Sequence, residues 1–410
     1  SRGLGDVYKR QVFILLNTFI MKRIWIASEY YYPIVTSTGY YMTEIAEYLA
    51  KSGMDVHVIC TDARYNETDE YKPLKLEKHN GVIIHRVLSG NIDKNNFAKR
   101  TFRLLNSSIR LWFKILKNVK RGDKLLVVTN PAFLLLFVPW IKRIKKIQYY
   151  LLVHDIFPEN LVAIGKMNSS SRLYHSLKFF FDRAYSQADV CISIGRDMAR
   201  VIRSKVHKDM KIALISNWAD NKEVFPLDKK ETCMYAELAC RDKFIFQFAG
   251  NLGHAQGLDN ILNAISLVEN PNLHFVFIGG GAKYETIKKF ASVRNNVTLS
   301  GFQPRSMQND FLNACDVSIV TLSDGMYGLG VPSKSYNIMA AGKPILMVGE
   351  ADSEIALCIK EFNLGWIVEP NNPSALKDMF ESVYESRDQL SSFRSNARCV
   401  ADTVFAKEII

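Results

Sequence analysis

The feature that most constrains this chain is an alternation of short apolar runs with segments of helical spacing, which occurs twice. The apolar runs are continuous, as is typical of strands buried on both faces. Such strands, separated by helices, form parallel sheets covered on either side. The predicted strands are 24–27, 56–60, 82–87, 124–129, 148–153 and 190–193 in the first series, and 212–215, 244–248, 274–278, 297–300, 317–321, 344–347 and 365–368 in the second.

The two series predict two domains of similar size. Residues 221–241 are polar and rich in lysine and acidic residues, and we interpret them as the join. The sequence therefore predicts doubly wound α/β domains at 21–220 and 221–410, facing each other across a cleft. Residues 1–20 do not fit the alternation, whereas Met21 leads directly into the first strand. We predict that 1–20 are a non-native extension, with a short native extension as the alternative.

Composition excludes several classes of protein. Hydrophobic residues make up 48% of the chain and charged residues 23%, which excludes a disordered polypeptide. No apolar run reaches the ~18 residues that a membrane-spanning helix needs. The seven cysteines are scattered and contain no CxxC pair. This favours reduced thiols in a cytoplasm over a disulfide or zinc framework.

Charge is divided unevenly along the chain. Residues 1–220 carry 35 basic and 19 acidic side chains, a formal charge of +16, whereas 221–410 carry 18 and 22, or −4. The first half therefore favours an anionic partner. Segment 94–121 holds nine Lys or Arg and no acidic residue, with aromatic and aliphatic side chains interleaved at roughly helical spacing.

A basic helix with an apolar face is suited to lie on an anionic membrane. We therefore predict membrane docking through segment 94–121. The predicted docking residues are Arg103, Arg110, Trp112, Lys114 and Lys117. A core-packed helix with a solvated face is the alternative. Nucleic acid is disfavoured as a partner because no nucleic-acid-binding motif accompanies the charge.

Three glycine-bearing turns, at 33–39, 250–257 and 279–281, precede predicted helices. Backbone N–H groups at such turns face anions beyond the carboxyl ends of the strands. None of the three is a GxGxxG followed by an acidic residue about twenty positions on, and no P-loop occurs, so dinucleotide and P-loop interpretations are weak. Ordinary turn chemistry explains each turn alone. Three in register favour a phosphate-bearing ligand.

Five motifs together resemble one family. They are YYYP (30–33) with Gly39, VHDIFPE (153–159), ISNWAD (215–220), FAGNLG (248–253) with QG (256–257), and VPSK (331–334) through AAGKP (340–344). The pattern resembles the family 4 retaining glycosyltransferases (glycosyl transferases group 1), closest to the colanic-acid and capsule type and the N-acetylfucosaminyl transferases. The resemblance covers residues 21 to about 405 and implies the GT-B architecture, with two Rossmann-like domains and no DxD metal motif.

The resemblance implies roles for individual residues. His154 and Asp155 are the implied catalytic residues, at a strand end beside the reacting centre. Ser333 and Lys334 are implied to reach the donor diphosphate. The implied donor-binding residues are Gly39, Gly250, Asn251, Gly253, Gln256, Gly280, Phe302, Ser333, Lys334 and Asn337.

The chain also departs from the family pattern. Asn251 and Gln256 stand where many members have Arg and Lys, and Leu329 and Asn337 stand where many have glutamates. We expect Lys334 to supply the positive charge that Gln256 lacks. A leucine at 329 fits a deoxy or N-acetylated sugar better than a fully hydroxylated one.

The resulting expectation is a metal-independent glycosyltransferase that retains anomeric configuration and needs no cofactor beyond its nucleotide-sugar donor, expected to be UDP-linked. The expected acceptor is polyprenyl-diphosphate-linked or a polysaccharide, handled in the cytoplasm at the inner face of the bacterial cytoplasmic membrane during capsule, O-antigen, lipopolysaccharide or exopolysaccharide biosynthesis. The histidines show no metal-ligand spacing. Two alternatives stay open: a sugar-nucleotide epimerase of the same fold, and a non-catalytic protein that binds a nucleotide sugar or a membrane.

Overall fold

The computed structural model describes residues 23–34, 36–62, 73–89, 97–238, 240 and 242–410. These residues form two compact units. The first comprises the described residues up to Val162 together with Met167–Ile215, and the second comprises Ala163–Lys166 and Ser216–Ile410. The predicted extension at 1–20 and residues 94–96 of the basic segment lie outside the described residues.

Eight strands of the first unit form one sheet. They are β1 (Ile24–Ala27), β2 (Val56–Thr61), β3 (Leu76–His79), β4 (Val82–Val87), β5 (Lys124–Val128), β6 (Gln148–Val153), β7 (Val190–Ser193) and β8 (Ile212–Leu214). Their order is β3-β4-β2-β1-β5-β6-β7-β8. The helices of this unit are α1 (Ser37–Lys51), α2 (Phe97–Asn118), α3 (Val138–Lys145), α4 (Glu159–Ala163), α5 (Arg172–Ser186) and α6 (Arg196–Lys205).

The centre of this sheet is parallel and buried on both faces. All residues of β1, β2, β5 and β7 are buried, as their uninterrupted apolar runs predict. Strand β1 pairs in parallel with β5, and β5 in parallel with β6. The carboxyl ends of these strands therefore meet at one edge of the sheet. The residues that follow them, Ser28, Thr129 and His154, lie along that edge.

Strand β8 does not open the second series, and that prediction is wrong. It pairs in parallel with β7, with Cys191 opposite Ile212, and so forms an edge of the first sheet. A three-residue apolar strand carries no information about which sheet it joins. Its pairing depends on the return of the chain through α6.

Strand β3 is absent from the predicted series. It pairs antiparallel with β4 through the two-residue turn Asn80-Gly81, whose φ angles are 47° and 86°. Asn-Gly is the sequence preferred for this turn because both residues must adopt positive φ. The side chains of β3 alternate between exposed and half-buried, so no continuous apolar run marks the strand.

The second unit contains a six-stranded sheet in which every pair is parallel. Its strands are β9 (Phe244–Ala249), β10 (Leu273–Ile278), β11 (Val297–Leu299), β12 (Val317–Thr321), β13 (Ile345–Val348) and β14 (Gly365–Val368), in the order β11-β10-β9-β12-β13-β14. Its helices are α7 (Cys233–Glu237), α8 (Leu258–Ser266), α9 (Tyr284–Ala291), α10 (Gln308–Asn313), α11 (Lys334–Ala340), α12 (Glu354–Phe362), α13 (Pro373–Glu385) and α14 (Leu390–Thr403).

An aromatic cluster joins α13 to this sheet. The Phe380 ring centroid lies 4.8 Å from those of Phe246 and Phe275. The two strand phenylalanines stack at 5.6 Å. All three side chains are almost completely buried. Because each ring contributes a large apolar area and packs specifically against the others, the cluster anchors the face of the sheet that α13 covers.

The division between the units lies a few residues before the predicted 220/221 boundary. The Ala219 N–H donates to the Phe405 carbonyl at 2.7 Å, and the Asp220 N–H donates to Asn337 Oδ1 at 2.9 Å. Both acceptors belong to the second unit. The segment after Ile215 is therefore tied to the second unit by its backbone hydrogen bonds.

The Phe380 cluster gives a test of the second unit's packing. Phe380→Ala is expected to lower the free energy of unfolding by about 3–5 kcal/mol, because it leaves a cavity against two strands. Phe302→Ala, at a phenylalanine that is 61% exposed, is the matched control. Urea unfolding followed by circular dichroism measures both. Equal stabilities for the two variants would contradict this account of the core.

Candidate active site

Three loops of the second unit meet at the carboxyl ends of β9, β10 and β11. The Gly250 N–H donates to the Ile278 carbonyl at 2.9 Å, and the Leu252 N–H to the Gly280 carbonyl at 2.9 Å. The Gly279 N–H in turn donates to the Gly301 carbonyl at 2.6 Å. These bonds join the three loops backbone to backbone. We call this arrangement, formed by residues 250–253, 279–281 and 301, the loop junction.

Glycine is required where these backbones approach most closely. A Cβ on Gly279 would lie 1.9 Å from the Gly250 carbonyl oxygen, and one on Gly281 would lie 2.6 Å from the Leu252 carbonyl oxygen. Both glycines also have positive φ, at 137° and 152°. A Cβ on Gly280 would meet no atom within 4 Å. The backbone at Gly280 therefore borders open space, consistent with its predicted donor-binding role.

The Lys334 side chain reaches the loop junction from the first residue of α11. Its ammonium lies 3.4 Å from the centroid of the Phe248 ring, and a Cβ on Gly250 would lie 3.6 Å from Nζ. The nitrogen is buried, and none of the residues that the structure describes forms a hydrogen bond with it. Burial lowers the pKa of Lys334 well below its ordinary value. An ammonium held in this way gains strongly from an anionic ligand.

The other predicted donor-binding residues have varied surroundings. Phe302 is exposed, and Asn251 is exposed beside Gly253. Gln256 is half-buried, and its backbone carbonyl accepts a hydrogen bond from the Thr321 hydroxyl at 2.8 Å. Asn337 is buried, and its Oδ1 accepts the Asp220 N–H. That carbonyl oxygen is already engaged within the protein, so the amide NH₂ is the part of Asn337 left for the predicted donor contact.

A cavity of about 220 Å³ lies next to the 254–257 loop, at the ends of β12 and β13. Asn260 lines it, is 8% exposed, and has both side-chain polar atoms buried without a hydrogen-bond partner in the described residues. No sequence pattern distinguishes Asn260, because asparagine is common near the start of a helix.

The first unit contributes a separate group of polar residues at the carboxyl ends of β5 and β6. The Thr129 hydroxyl oxygen accepts the N–H groups of His154 and Asp155 at 3.0 and 3.1 Å. His154 Nδ1 lies 3.5 Å from the Thr38 hydroxyl in the first turn of α1. These contacts fix the backbone and the ring of His154 at the edge of the sheet, at the strand end where it was predicted.

Gly39 has a local role besides the predicted one. Its N–H donates to the Thr36 hydroxyl oxygen at 3.1 Å, which caps α1. A Cβ at this position would lie 2.3 Å from the Ile34 carbonyl oxygen. The approach of the loop to its own helix therefore requires glycine whatever the ligand. The donor contact of Gly39 stays a prediction.

Burial shifts the pKa values of the two predicted catalytic residues in opposite directions. It lowers the pKa of His154 to about 4 and raises that of Asp155 to about 6. His154 is therefore a neutral imidazole at pH 7, able to donate one hydrogen bond and accept another. The Asp155 carboxylate is ionised at pH 7 but titrates within reach of it, as acid–base groups commonly do.

The structure removes Arg103 from the predicted membrane-docking residues. Its guanidinium pairs with Glu29 at 2.9 Å, and both side chains are buried. Trp112 is half-buried, with its ring 5.4 Å from that of Phe137. Lys114 is half-buried as well. These residues lie on or beside the face of α2 that packs inwards, which the spacing of charges alone did not reveal because a buried ion pair leaves no mark in sequence.

The outer face of α2 keeps an apolar and basic character. Phe102 is 72% exposed and Phe113 59%, and the exposed basic residues Arg110 and Lys117 lie on the same helix. Helix α3, packed beside α2, adds Trp140 and Ile144 at 66% and 60%. We call these exposed side chains the α2–α3 surface. Its members are Phe102, Leu105, Arg110, Phe113, Lys117, Trp140, Arg143, Ile144 and Lys146.

The described residues lack two features, a cluster of metal ligands and a membrane-spanning helix. Within them, no three His, Cys, Asp or Glu side chains come together in a way that would hold a metal ion. No helix in the same residues has both the length and the apolar character needed to cross a bilayer.

The chain thus contains two Rossmann-like units, the second with a junction of glycine-bearing loops and a buried lysine at the carboxyl ends of its parallel sheet. Two family models match the chain: Glycosyltransferase Family 4 over residues 38–223 and Glycosyl transferases group 1 over residues 234–400. The chain is 36% identical to Probable glycosyltransferase WbjE of Pseudomonas aeruginosa, covering 95% of this chain and 96% of that protein. It belongs to this glycosyltransferase family, and its architecture is GT-B, as predicted.

Two further proteins resemble the chain at lower identity. The chain is 22% identical to WcaI of Escherichia coli K12, which is named as a colanic acid biosynthesis glycosyl transferase, covering 84% of this chain and 88% of that one. Among solved structures, Anabaena HepE in complex with UDP and glucose is similar with a TM-score of 0.70 at 14% identity, covering 94% of this chain and 96% of that one. The chain is accordingly a glycosyltransferase.

The buried ammonium of Lys334 predicts a particular dependence of stability on pH. Because its pKa is lowered in the folded protein, the unfolded chain binds the proton more tightly, and this group makes stability rise with pH. Lys334→Met is therefore expected to be more stable than the parent at pH 7 without ligand. The difference in stability between the variant and the parent should narrow as the pH rises towards about 10.4, the pKa of a lysine in the unfolded chain.

Thermal unfolding of the unligated proteins between pH 7 and 9.5 measures this. Lys283→Met, which removes an ammonium paired with Asp259 at 2.8 Å, is the control and should show no such narrowing. A Lys334→Met protein less stable than the parent throughout the range would contradict the description of an unpaired buried cation.

The Asp155 carboxyl is expected to make the stability of the protein fall, not rise, with increasing pH. Its folded pKa of about 6 exceeds the unfolded value of 3.8, so ionisation costs stability as pH rises through that window. Asp155→Asn is expected to stabilise the unligated protein by up to about 3 kcal/mol at pH 7 and by little at pH 4. Urea unfolding at both values measures the change.

His154→Gln is the control for Asp155→Asn. Burial lowers the pKa of His154, so this residue makes the folded protein less stable as the pH falls, whereas Asp155 makes it less stable as the pH rises. That variant should gain stability at pH 4 and little at pH 7. If Asp155→Asn were no more stable than the parent at pH 7, the carboxyl would not be held in a desolvated environment.

Proposed function

We propose that this protein is a retaining, metal-independent glycosyltransferase that moves a sugar from a UDP-linked donor to a lipid-linked or polysaccharide acceptor during bacterial surface polysaccharide assembly. The observation that carries the proposal is the buried side chain of Lys334 beside Gly250, whose nitrogen has no hydrogen-bond partner among the described residues. A nucleotide sugar brings its own leaving group, a diphosphate whose negative charge grows as the glycosidic bond breaks. Preorganised amides and a desolvated cation stabilise such a charge without any metal.

The loop junction supports the choice of a nucleotide diphosphate. Its loops follow three neighbouring strand ends, and the exposed Phe302 ring stands next to Gly301, which suits stacking on a base. HepE, which has a similar fold, is described in complex with UDP and glucose. That description favours uridine as the nucleoside to test first.

We infer the class of the donor sugar from Leu329. Leu329 is buried and apolar where many members of the family have a carboxylate. A buried leucine cannot accept hydrogen bonds from sugar hydroxyls, whereas it packs well against a methyl or acetamido group. We therefore propose a deoxy or N-acetylated sugar.

His154 and Asp155 are proposed to serve the transfer itself. The neutral imidazole of His154 can donate a hydrogen bond to the sugar or accept one from the attacking hydroxyl without desolvating a full charge. Retention is proposed to follow from attack on the same face that the diphosphate leaves, with the departing diphosphate accepting the acceptor's proton. In this scheme Asp155 shapes the local electrostatics and forms no covalent intermediate.

A direct assay tests the proposal. The purified protein is incubated with UDP-, GDP-, ADP- and TDP-linked deoxy and N-acetyl sugars and a polyprenyl-diphosphate-linked acceptor, in EDTA. We expect transfer from one nucleotide class, with the anomeric configuration of the product equal to that of the donor by NMR. Conversion of the donor to an epimer without acceptor would favour the epimerase. Nucleotide binding with neither transfer nor isomerisation would favour the non-catalytic alternative.

The α2–α3 surface is proposed to hold the enzyme at the inner face of the cytoplasmic membrane. Its exposed aromatic rings suit the headgroup boundary, and its basic residues suit anionic lipids. A polyprenyl-linked acceptor cannot leave the bilayer. An enzyme bound to the membrane surface is therefore confined to the same surface as its acceptor.

Vesicle binding tests the α2–α3 surface. The Phe102→Ser, Phe113→Ser double variant is expected to partition about 10-fold more weakly into vesicles containing phosphatidylglycerol, because two exposed rings are lost. Arg110→Gln, Lys117→Gln should also weaken binding, and 0.5 M salt should erase that difference. Leu267→Ser, at a leucine that is 47% exposed in the second unit, is the control. Unchanged co-sedimentation of both double variants would contradict the proposal.

A further inference from the structure

A network of two lysines and two carboxylates, of which only Lys205 is completely buried, lies at the end of the segment that carries His154 and Asp155. Lys205 Nζ contacts Glu159 Oε1 at 2.5 Å and Asp182 Oδ1 at 2.6 Å. Lys178 Nζ contacts the same two carboxylates at 2.9 and 2.8 Å. The Lys205 side chain is completely buried. We call Glu159, Lys178, Asp182 and Lys205 the charge clamp.

The clamp joins three helices at the end of the catalytic segment. Glu159 is the first residue of α4, directly after 154–158, while Lys178 and Asp182 belong to α5 and Lys205 ends α6. Burial alone would raise the pKa of Glu159, but the two ammonium groups outweigh it and hold that pKa below its ordinary value. Glu159 is therefore a carboxylate at pH 7, and the ion contacts persist there.

Helix α5 makes further contacts along the same segment. The Tyr185 hydroxyl donates to the Asp155 carbonyl at 3.4 Å, and the Phe181 ring lies 6.0 Å from that of Phe157. Lys205 also lies over the Tyr185 ring, 5.4 Å from its centroid. Segment 154–158 is thus held by Thr129 at its start, by α5 along its length and by the charge clamp at its end.

Stability alone does not account for such a network. Taking the Lys205 ammonium and parts of its two carboxylate partners out of water is costly, and well-packed apolar residues commonly serve a core as well or better. Directional ion contacts, in contrast to apolar packing, hold the groups that they join in one geometry. The groups attached here are the backbone of α4 and, through it, the residues that lead back to His154.

We propose that the charge clamp is a positioning device for the catalytic segment, with Lys205 and Glu159 acting on transfer through His154. This inference rests on the proposed function for its kinetic test, and it has a second test that does not. Misplacing a reacting group by about 1 Å costs on the order of 100-fold in rate. A loosened clamp should therefore lower turnover much more than it lowers donor affinity.

The kinetic test compares Lys205→Met, Lys205→Arg and Lys178→Met with the parent, at a temperature well below the unfolding midpoint of each. Lys205→Met is expected to lower kcat by about 10- to 100-fold while the donor KM changes by less than about twofold. Lys205→Arg should recover most of the rate, because a guanidinium can contact both carboxylates. Lys142→Met is the control, since Lys142 pairs with Asp189 and the Gln187 carbonyl in the same unit.

The second test follows the imidazole itself. Proton–carbon NMR of the unligated proteins is expected to show the His154 ring resonances shifted or doubled in Lys205→Met and parental in Lys142→Met. If Lys205→Met does not fold, Lys178→Met carries both tests, since Lys178 is partly exposed. A folded Lys205→Met protein with parental kcat and parental His154 resonances would overturn the inference. A parent that transfers no sugar would overturn the proposed function, and the NMR comparison would still decide the clamp.

Discussion

The backbone contact between Gly250 and Gly279 is the constraint on which the proposed donor site depends. The Gly250 N–H bonds to the end of β10, and the Gly250 carbonyl oxygen leaves no room for a side chain at 279. This approach brings two loops together at the carboxyl ends of adjacent parallel strands. It also presents Gly250 to the Lys334 ammonium, which has the Phe248 ring beside it and no hydrogen-bond partner among the described residues. An anion bound there would pair with this desolvated lysine.

In the first unit, side chains hold the segment that carries the predicted catalytic residues, whereas backbone contacts hold the loop junction of the second unit. His154 and Asp155 follow a buried strand, and a short irregular segment separates them from α4. Thr129 holds the beginning of that segment with one hydroxyl, and Glu159 holds its end through two lysines. The pKa shifts of His154 and Asp155, by contrast, come from burial.

The parts of the fold that follow from periodicity were predictable, and the parts that depend on packing were not. Continuous apolar runs identify the central parallel strands, because burial on both faces leaves that signature. The Asn80-Gly81 turn was a usable signal for β3, although the strand itself has no apolar run. The position of β8 was not predictable, because three apolar residues do not specify a neighbour.

The same division applies to the candidate site. Lys334 was identified by its motif, but its burial against Phe248 and its lack of a partner in the described residues depend on the arrangement of three strands and a helix. Arg103 was misassigned to the surface because its partner, Glu29, lies far away in sequence. The charge clamp was hidden for the same reason, since its members span residues 159–205 and no local pattern links them.

The most direct test of the central claim is the contribution of Lys334 to diphosphate recognition. Calorimetry would compare the affinities of UDP and uridine for the parent and for Lys334→Met. The account predicts that the parent binds UDP at least about 10-fold more tightly than uridine, and that the variant binds the two almost equally, because a charge-assisted contact to phosphate is lost. An undiminished preference for UDP in Lys334→Met would contradict the claim that this buried ammonium binds the donor diphosphate.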